Sequence, residues 1–389
     1  MNGTKKAMNQ LKSNRKIIYI GSFGERNTAS RIRVENVSKI FEKMGFSTDF
    51  ISDLPPIYDE RNTNFHFVGL SNISRLCKLR ELLTYRHFIK QVFSIIELKK
   101  PKIVILYNSP YKVAKKILNY CHKHNIKVIH DTTEWYEINF FKKSLIHNYK
   151  AISVTKRILL LDKKINNFIA ISPYMNNYYK DKRYNTIMIP PVFIEKSSAD
   201  YREMSDTVNI IYAGSPGAKD DLSLFLKSIL RINTDKLRFI VNLYGIDDKY
   251  LENNYSIKNA STKGIIAHGY RPNEEVIRTL KRSDFSFLIR PKKVYSKAGF
   301  STKFAESLYH GVPVICNEVG SGDLFIENGK NGFKINSFSE VQLLEVLKKI
   351  LVLKSDELEA IKQNAFVTGE KKFFADYYER DLRLFIERI

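Results

Sequence analysis

The sequence predicts an α/β protein that consists of two doubly wound domains, and three observations support this prediction. The chain has 389 residues, of which 43% are hydrophobic and 27% are charged, as is typical of two globular domains. In both halves, short apolar runs alternate with longer segments of helical periodicity, which indicates parallel sheets covered by helices. Residues 17–24 (IIYIGSFG) and 210–217 (IIYAGSPG) are identical at six of eight positions and lie about half the chain apart.

This internal repeat indicates how each domain begins. Each copy is an apolar run that ends in a glycine turn and precedes a helix-like stretch, as the first strand, turn and helix of a doubly wound domain would. The alternative is a chance match, because isoleucine, tyrosine and glycine are common in this chain. Two such domains would face a central cleft, with ligands at the carboxyl ends of the parallel strands.

The first domain is expected to span residues 1–195. Residues 1–15 are polar and basic without an apolar core, which predicts a disordered lead-in and not a signal peptide. A long helix is predicted over residues 30–44, where apolar side chains share one helical face and Gly45 follows as a natural stop. Further strands are predicted at 47–51, 102–107, 127–130, 168–172 and 186–190.

The second domain is expected to span residues 196–372, after a linker that starts at Pro190 and Pro191 and continues as a polar stretch. Residues 373–389 are aromatic and charged at helical spacing, which predicts a helix that packs back toward the first domain. The predicted strands are 208–213, 237–244, 264–267, 285–289, 312–316 and 332–335, and the predicted helices are 222–232, 274–281, 303–310 and 340–353.

The charge of the chain is unevenly distributed. The formal charge is +23, and residues 1–200 hold 35 Lys and Arg against 16 Asp and Glu, whereas the remainder holds 29 against 25. A basic half is typical of proteins that meet nucleic acid, an anionic membrane or anionic substrates. No nucleic-acid motif accompanies the charge, which argues against a nucleic-acid partner. Residues 75–100 are basic with interspersed leucines, so they form either a membrane-facing helix or an ordinary core-packing one.

Cysteine usage and hydropathy indicate the compartment. Cys77, Cys121 and Cys316 are odd in number and widely spaced, which favours a reducing compartment and argues against a disulfide framework or a zinc site. The longest apolar runs, such as 103–107, are far shorter than the ~18 residues that suggest a membrane-spanning helix. We therefore expect a cytoplasmic protein, and the basic first half leaves peripheral binding to the inner face of the plasma membrane open as an alternative.

The run STKFAE is the strongest candidate for an anion site. Ser301 or Thr302 can cap a helix, whose free first-turn N–H groups favour an anion, and Lys303 adds a full positive charge. A phosphate or diphosphate would fit there, with Arg290 upstream, and Glu306 could accept hydrogen bonds from the vicinal hydroxyls of a ribose. The alternative is a capped surface helix with a solvated glutamate.

This run resembles the nucleotide-sugar-binding signature of glycosyltransferases with the GT-B fold, specifically the retaining family 4 (group 1) enzymes. In that family, a helix with a glutamate is followed by a Gly-x-Pro-Val-Ile turn and strand, as Glu306 is followed here by residues 311–315. The resemblance implies two Rossmann-like domains and transfer of a sugar from a nucleotide diphosphate to a hydroxyl, with retained anomeric configuration. It implies a glycan or lipid-linked acceptor, in surface polysaccharide or glycoconjugate synthesis.

The glycine loop that opens the second domain, YAGSPGAKDD, resembles the family's donor loop. By this resemblance Gly214, Ser215 and Gly217 approach the donor and Lys219 meets its diphosphate, although Ser215 stands where a basic residue is common. A glycine permits close backbone approach, and a lysine neutralises the leaving pyrophosphate. A solvated loop lysine is the alternative.

The chain departs from the family at one position. Many members carry two glutamates eight positions apart, but the position eight before Glu306 is Ala298. The contacts to the donor sugar are therefore open, and the backbone N–H groups from Gly299 to Thr302 are candidates to hold the donor.

In the first domain, the resemblance points to a loop and a strand end that face the acceptor. Gly24, Arg31 and Arg33 flank the first glycine turn, and the arginines either meet an anionic acceptor or are solvated. His130, Asp131 and Glu134 follow a predicted strand and are the candidates for catalysis or acceptor binding. Trp135 either stacks on a sugar or packs in the core.

The family's front-face mechanism needs no metal, because the leaving phosphate helps to deprotonate the acceptor. The resemblance thus implies no cofactor and no metal site, with a UDP-sugar favoured as donor and a GDP-sugar as the second choice. Two other classes stay open. A GT-B-fold epimerase would explain the nucleotide site but not the basic first half, and a nucleic-acid-binding protein would explain the charge alone.

Overall fold

The computed structural model describes residues 15–24, 28–54, 64–68, 84–137, 145–198, 205–216, 220–319, 322–336 and 338–389. The chain divides into two compact units. Unit 1 comprises the chain up to Ile194 together with Ala375–Ile389, and unit 2 comprises Glu195–Phe374. In the described ranges, no helix has the length and the apolar character that crossing a membrane requires.

Unit 1 contains a parallel sheet, to which the described residues contribute seven strands in the order β3-β2-β1-β4-β5-β6-β7. The strand order reverses between β1 and β4, which makes the carboxyl ends of these two strands the expected ligand crevice of this unit. The strands are β1 (Lys16–Gly21), β2 (Ser47–Ser52), β3 (Phe65–Phe67), β4 (Ile103–Tyr107), β5 (Lys127–Thr132), β6 (Asn167–Ala170) and β7 (Asn185–Met188).

The helices of unit 1 cover this sheet. The first helix begins after Thr28, whose side chain accepts a hydrogen bond from the Arg31 N–H, and Gly45 follows it with a φ of +87°. The helices are α1 (Ala29–Lys43), α2 (Arg86–Lys99), α3 (Tyr111–Lys123), α4 (Leu145–Leu160), α5 (Asp162–Ile165) and α6 (Pro173–Asp181). The chain terminus returns to this unit, where Ala375, Leu382 and Phe385 are buried in the same core as β1 and α1.

Unit 2 repeats this architecture with six described parallel strands in the order β10-β9-β8-β11-β12-β13. The reversal lies between β8 and β11, and the backbone N–H of Asp221, after β8, donates to the carbonyl of Ile289, after β11, at 2.8 Å. The strands are β8 (Val208–Ala213), β9 (Phe239–Tyr244), β10 (Ile265–Gly269), β11 (Phe285–Leu288), β12 (Val314–Asn317) and β13 (Gly332–Ile335).

The sequence pattern indicated four of the eight α-helices described in unit 2, and the longest helix that it missed covers Ser355–Phe373. The long helix over Ser355–Phe373 packs so closely on the helix over Thr302–Tyr309 that a Cβ on Gly369 would lie 2.2 Å from the Leu308 carbonyl oxygen. The helices are α7 (Ser223–Ile232), α8 (Asp248–Tyr255), α9 (Asn273–Arg282), α10 (Val294–Ala298), α11 (Thr302–Tyr309), α12 (Gly322–Phe325), α13 (Glu340–Leu351) and α14 (Ser355–Phe373), and α15 (Glu379–Glu387) follows in unit 1.

These two parallel sheets confirm the predicted α/β class and its doubly wound halves. The predicted strands all exist, with ends that differ by one or two residues. The sequence pattern missed β3, because it is only three residues long and its side chains are half-buried or exposed at the sheet edge.

Candidate active site

Gly214, Gly245 and Gly269 stand at the carboxyl ends of β8, β9 and β10 in unit 2, and we call these three positions the glycine floor. Gly214 follows β8 with a φ of +131°, and a Cβ there would lie 3.0 Å from Lys303 Nζ. Gly245 follows β9 with a φ of +79°, and its Cβ would lie 3.1 Å from the Gly214 carbonyl carbon. Both positions therefore require glycine for conformation and for space. The sequence analysis found Gly214 but not Gly245.

Helix α11 starts at this floor. The Ser301 side chain accepts a hydrogen bond from the Phe304 N–H at 3.3 Å, so the predicted N-terminal cap is present. Phe304 and Leu308 are buried on the inner side of the helix. The first turn of this helix therefore lies at an anchored helix terminus, where the helix dipole favours an anion.

A buried carboxylate holds two cations beside this helix. Asp220 Oδ2 lies 2.5 Å from Lys303 Nζ, and Asp220 Oδ1 lies 3.0 Å from Arg290 Nε. The Tyr212 hydroxyl donates to Asp220 Oδ2 at 2.9 Å and accepts from Lys303 Nζ at 2.8 Å. We call these four residues the Asp220 network. With one carboxylate against two cations, it carries an excess of one positive charge.

The electrostatics of Asp220 keep this carboxylate ionised. Burial by itself would raise the pKa of Asp220, but the charges of Lys303 and Arg290 outweigh it and lower the pKa. Asn317, at the end of β12, fixes Arg290 further, because its side chain accepts from the Arg290 N–H at 3.0 Å and donates to the Arg290 carbonyl at 2.8 Å. The sequence analysis did not identify Asp220 or Asn317, because a single Asp or Asn in a loop has no distinctive spacing.

Glu306 lies one turn after Lys303 on α11. Burial raises the pKa of Glu306 to about 7, and the nearby charge of Lys303 only partly opposes this shift. Its side chain lines a small cavity of about 20 Å³ together with Tyr212, Ala213 and Ser307. Near neutral pH, the carboxyl group of Glu306 is therefore partly protonated and partly ionised.

The remaining predicted donor residues occupy different settings. Ser215 Oγ lies 3.1 Å from the hydroxyl of Tyr270, whose ring is 82% exposed at the end of β10. Gly299 ends α10, and Thr302 is the first residue of α11. Ala298 is completely buried, so the position of the absent glutamate belongs to the core. Gly217 and Lys219 lie outside the described residues.

At the corresponding edge of unit 1, the predicted acceptor residues contact one another. Arg33 Nη2 lies 2.7 Å from Asp131 Oδ1, and Arg33 Nη1 donates to the carbonyls of Ile189 and Pro190 at 2.9 and 3.3 Å. The Tyr19 hydroxyl donates to the other oxygen of Asp131. We call Asp131, Arg33 and Tyr19 the Asp131 network. All three side chains are buried, and one carboxylate balances one cation.

Arg31 and Gly24 are also inside the fold. Arg31 is 1% exposed, its Nε lies 2.6 Å from Glu35 Oε1, and its guanidinium carbon lies 4.2 Å from the centre of the Phe65 ring. Gly24 is buried after β1. The arginines were expected to meet an acceptor or to be solvated, but both are buried and paired within unit 1.

The strand-end candidates after β5 differ in burial. His130 is 1% exposed and points to the face opposite Asp131, where burial and then the charge of Arg157 hold its pKa well below the usual value. Its catalytic role stays a prediction, and this burial argues against it. Trp135 is 8% exposed and packs edge-on against tyrosines of α6, as the core alternative described. Glu134 is half-buried and accepts a hydrogen bond from the Tyr136 hydroxyl.

A metal site has no support among the described residues, where no group of three or more His, Cys, Asp or Glu side chains converges. The polar groups that converge in unit 2 are two cations, the carboxylate and hydroxyl of Asp220 and Tyr212, and the N–H groups of a helix terminus, beside two glycines. With its net positive charge, this combination suits an anionic ligand such as a phosphate or diphosphate.

Comparisons with known proteins agree with this geometry. A family model described as "Glycosyl transferases group 1" matches residues 207–352, which contain the Asp220 network and helix α11. Comparison with curated protein sequences gives no significant match. Sucrose-phosphate synthase from Thermosynechococcus elongatus superposes with a TM-score of 0.72 at 14% identity, covering 96% of this chain and 98% of that one.

Two further structures show the same fold at low identity. The lipopolysaccharide outer core galactosyltransferase WaaB has a TM-score of 0.66 at 16% identity and covers 96% and 99% of the two chains. HepE from Anabaena, in complex with UDP and glucose, has a TM-score of 0.69 at 11% identity and covers 96% and 100%. The chain therefore has the GT-B fold. Within unit 2, residues 207–352 match the family model of group 1 glycosyltransferases, which indicates the same class of enzyme as the sequence resemblance.

Proposed function

We propose that this chain transfers a sugar from a UDP-sugar to a hydroxyl of a glycan or lipid-linked acceptor, with retention of the anomeric configuration. Unit 2 would bind the donor and unit 1 the acceptor. The observation that carries the proposal is the Asp220 network, because its two cations face one carboxylate next to a capped helix terminus. UDP is favoured as the nucleotide because HepE, with the same fold, binds UDP and glucose.

The chemistry assigned to unit 2 is mainly electrostatic. As the bond between the anomeric carbon and the diphosphate oxygen breaks, negative charge develops on the leaving diphosphate. Lys303, Arg290 and the N–H groups at Ser301 and Thr302 would stabilise that charge. The acceptor oxygen then bonds to the anomeric carbon, and its proton passes to the leaving diphosphate. Ionised Glu306 would accept hydrogen bonds from the ribose hydroxyls.

Several donor contacts stay predictions from the resemblance. Lys219 would add a further cation to the diphosphate, and Gly214, Gly217 and Gly299 would let the backbone approach the donor. Ser215 would contact the donor from the turn after β8, where it already meets Tyr270. None of these assignments is needed for the Asp220 network to attract a diphosphate.

The acceptor contact in unit 1 is assigned to the strand-end candidate that is partly exposed. Glu134 is the only one of the three strand-end candidates that is partly exposed, so we assign the acceptor contact to Glu134. Asp131 and Arg33 would stabilise the end of β5, which precedes Glu134, and would not contact the substrate. A surface glycan is favoured because WaaB, which shares the fold, is a galactosyltransferase of the lipopolysaccharide outer core.

An anionic membrane surface is the proposed setting of the acceptor. The sequences of α3 and α4 contain no Asp or Glu, and the two helices pack side by side. At the end of α4, Leu159 and Leu160 are 74% and 55% exposed, with exposed lysines before and after them. Apolar side chains flanked by lysines are typical of interfacial binding to anionic lipids. The apolar face of α2, by contrast, is buried.

Titration calorimetry with UDP, GDP and ADP tests the donor assignment. We expect UDP to bind most tightly, and we expect purified protein to release UDP slowly from UDP-sugars through hydrolysis. The absence of binding by any of the three nucleotides, together with the absence of hydrolysis, would contradict the proposal.

A further inference from the structure

The two copies of the internal repeat place a tyrosine in the same chemical role. Tyr19 and Tyr212 are the third residues of IIYIGSFG and IIYAGSPG, and each hydroxyl donates to a buried aspartate. In both units, the second oxygen of that aspartate contacts an arginine, which is Arg33 in unit 1 and Arg290 in unit 2. The repeat therefore reflects a shared tyrosine–aspartate–arginine arrangement.

The two arrangements differ by one charge. In unit 1 the carboxylate of Asp131 balances Arg33, and the arginine also donates to two backbone carbonyls. In unit 2 Lys303 is a second cation, and it contacts the corresponding carboxylate, Asp220. Lys303 is partly exposed, whereas Asp220 is buried. Asp220 is thus the fixed negative charge of a site with one buried cation, Arg290, and one partly exposed cation, Lys303.

We propose that Asp220 limits the positive charge of the diphosphate site, so that the nucleotide product can leave after sugar transfer. This inference rests on the proposed donor site. The sugar-free diphosphate has an additional ionisable phosphate oxygen, with a pKa near 6 for groups of this kind, so it is more negative than the donor. A site with two uncompensated cations would therefore retain the product more strongly than the donor. Asp220 acts through Lys303 and Arg290, and it is a positioning residue.

The Asp220→Asn variant tests this role, because it removes the charge and keeps the shape. We expect UDP to bind roughly tenfold more tightly than to the wild-type protein, as Coulomb attraction at a largely buried site allows. The release rate of a fluorescent UDP analogue should fall by a similar factor, and the salt dependence of binding should become steeper. A purely structural role for Asp220 would weaken UDP binding instead.

A control variant separates charge from packing. Asp284→Asn makes the same substitution at a buried aspartate of unit 2, at the amino end of β11, where it accepts from the Asn209 N–H. This variant should bind UDP within threefold of the wild-type affinity.

A double variant tests the proposal even if Asp220→Asn does not fold. Arg290→Gln alone should weaken UDP binding, because Asp220 then neutralises Lys303. Combining it with Asp220→Asn restores the net charge and should return the affinity to within threefold of wild type. Unchanged or weaker UDP binding in Asp220→Asn, or no recovery in the double variant, would overturn the inference. Absence of UDP binding by the wild-type protein would instead refute the donor assignment.

Discussion

Unit 1 and unit 2 place their charges differently on closely similar sheets. At the carboxyl edge of unit 1, the Asp131 network is buried and balanced, and Arg31 is paired with Glu35. At the equivalent edge of unit 2, the Asp220 network carries one cation more than it neutralises. Away from this edge, exposed lysines cluster on the outer surface of unit 1, on α3 to α5.

This difference changes the interpretation of the net charge. Residues 1–200 carry a formal excess of 19 basic residues, which first suggested an anionic acceptor. The arginines nearest the predicted acceptor edge are internally paired, so they do not account for an anionic acceptor. The exposed lysines lie on helices instead, where they would meet the proposed anionic membrane surface. In unit 2, a small charge excess is concentrated where the donor would bind.

The largest expected effect comes from a variant in which the Asp220 network has the balanced charge of the Asp131 network. Lys303→Ala leaves Asp220 paired with Arg290 alone, so the excess positive charge disappears. We expect the catalytic efficiency with the donor to fall by roughly 10²-fold, because a group that stabilises the leaving diphosphate is lost. Stability should change little, since the buried pair remains. Steady-state kinetics and thermal unfolding measure both, with Lys227→Ala on the exposed side of α7 as the control.

In unit 1, we expect a loss of stability with little change in UDP affinity. Arg33→Met leaves Asp131 and Tyr19 buried without their cation, and breaking a buried ion pair on one side costs about 3–5 kcal/mol. Urea unfolding should show this loss in the free energy of unfolding, while UDP affinity at 10 °C should stay within twofold of wild type. A loss below 1 kcal/mol would mean that the Asp131 network is not structural, and the contrast between the units would fail.

Much of the fold was predictable because every described strand except β3, and several of the longer helices, are local patterns. The repeat located β1 and β8, and apolar runs located the strands after them. Helix α14 has apolar side chains on a narrow strip and a glycine at its closest contact, so its periodicity in the sequence is weak. The residues 373–389 carry a helical pattern, but only the tertiary core shows where that helix packs.

The site was less predictable, because its key contacts join distant residues. Lys303 and Glu306 follow from a local motif, whereas Asp220 meets Lys303 across 83 positions and Arg290 across 70. In unit 1, Arg33 meets Asp131 across 98 positions. Sequence reasoning treated Lys303, Arg290 and Asp131 as candidate contacts to substrate and did not identify Asp220. Their pairing depends on sheet topology, which brings strand ends together that the sequence separates.

A smaller effect is expected from pH, and it concerns unit 2 alone. The pKa of Glu306 is raised to about 7, so the carboxylate that would bind ribose forms only as pH rises through neutrality. UDP affinity should therefore increase about tenfold between pH 6 and pH 8, in proportion to the ionised fraction. Stability has the opposite sign, because a raised acid pKa favours folding at low pH and this contribution is lost toward pH 7. Calorimetry across this range should show no such rise in Glu306→Gln.

The smallest expected effect tests the basic helices of unit 1. Replacing Leu159 and Leu160 by serine removes apolar surface but no charge, so co-sedimentation with vesicles that contain 30% anionic lipid should fall by roughly tenfold. Leu384→Ser, which changes a leucine 48% exposed on α15, is the matched control and should sediment like the wild type. Equal sedimentation of wild-type protein with neutral and anionic vesicles would contradict the role of the lysines. Retained binding by the double variant would leave charge alone as the attraction and exclude insertion of the two leucines. In either case UDP binding should be unaffected, because the two leucines lie in unit 1 and the Asp220 network lies in unit 2.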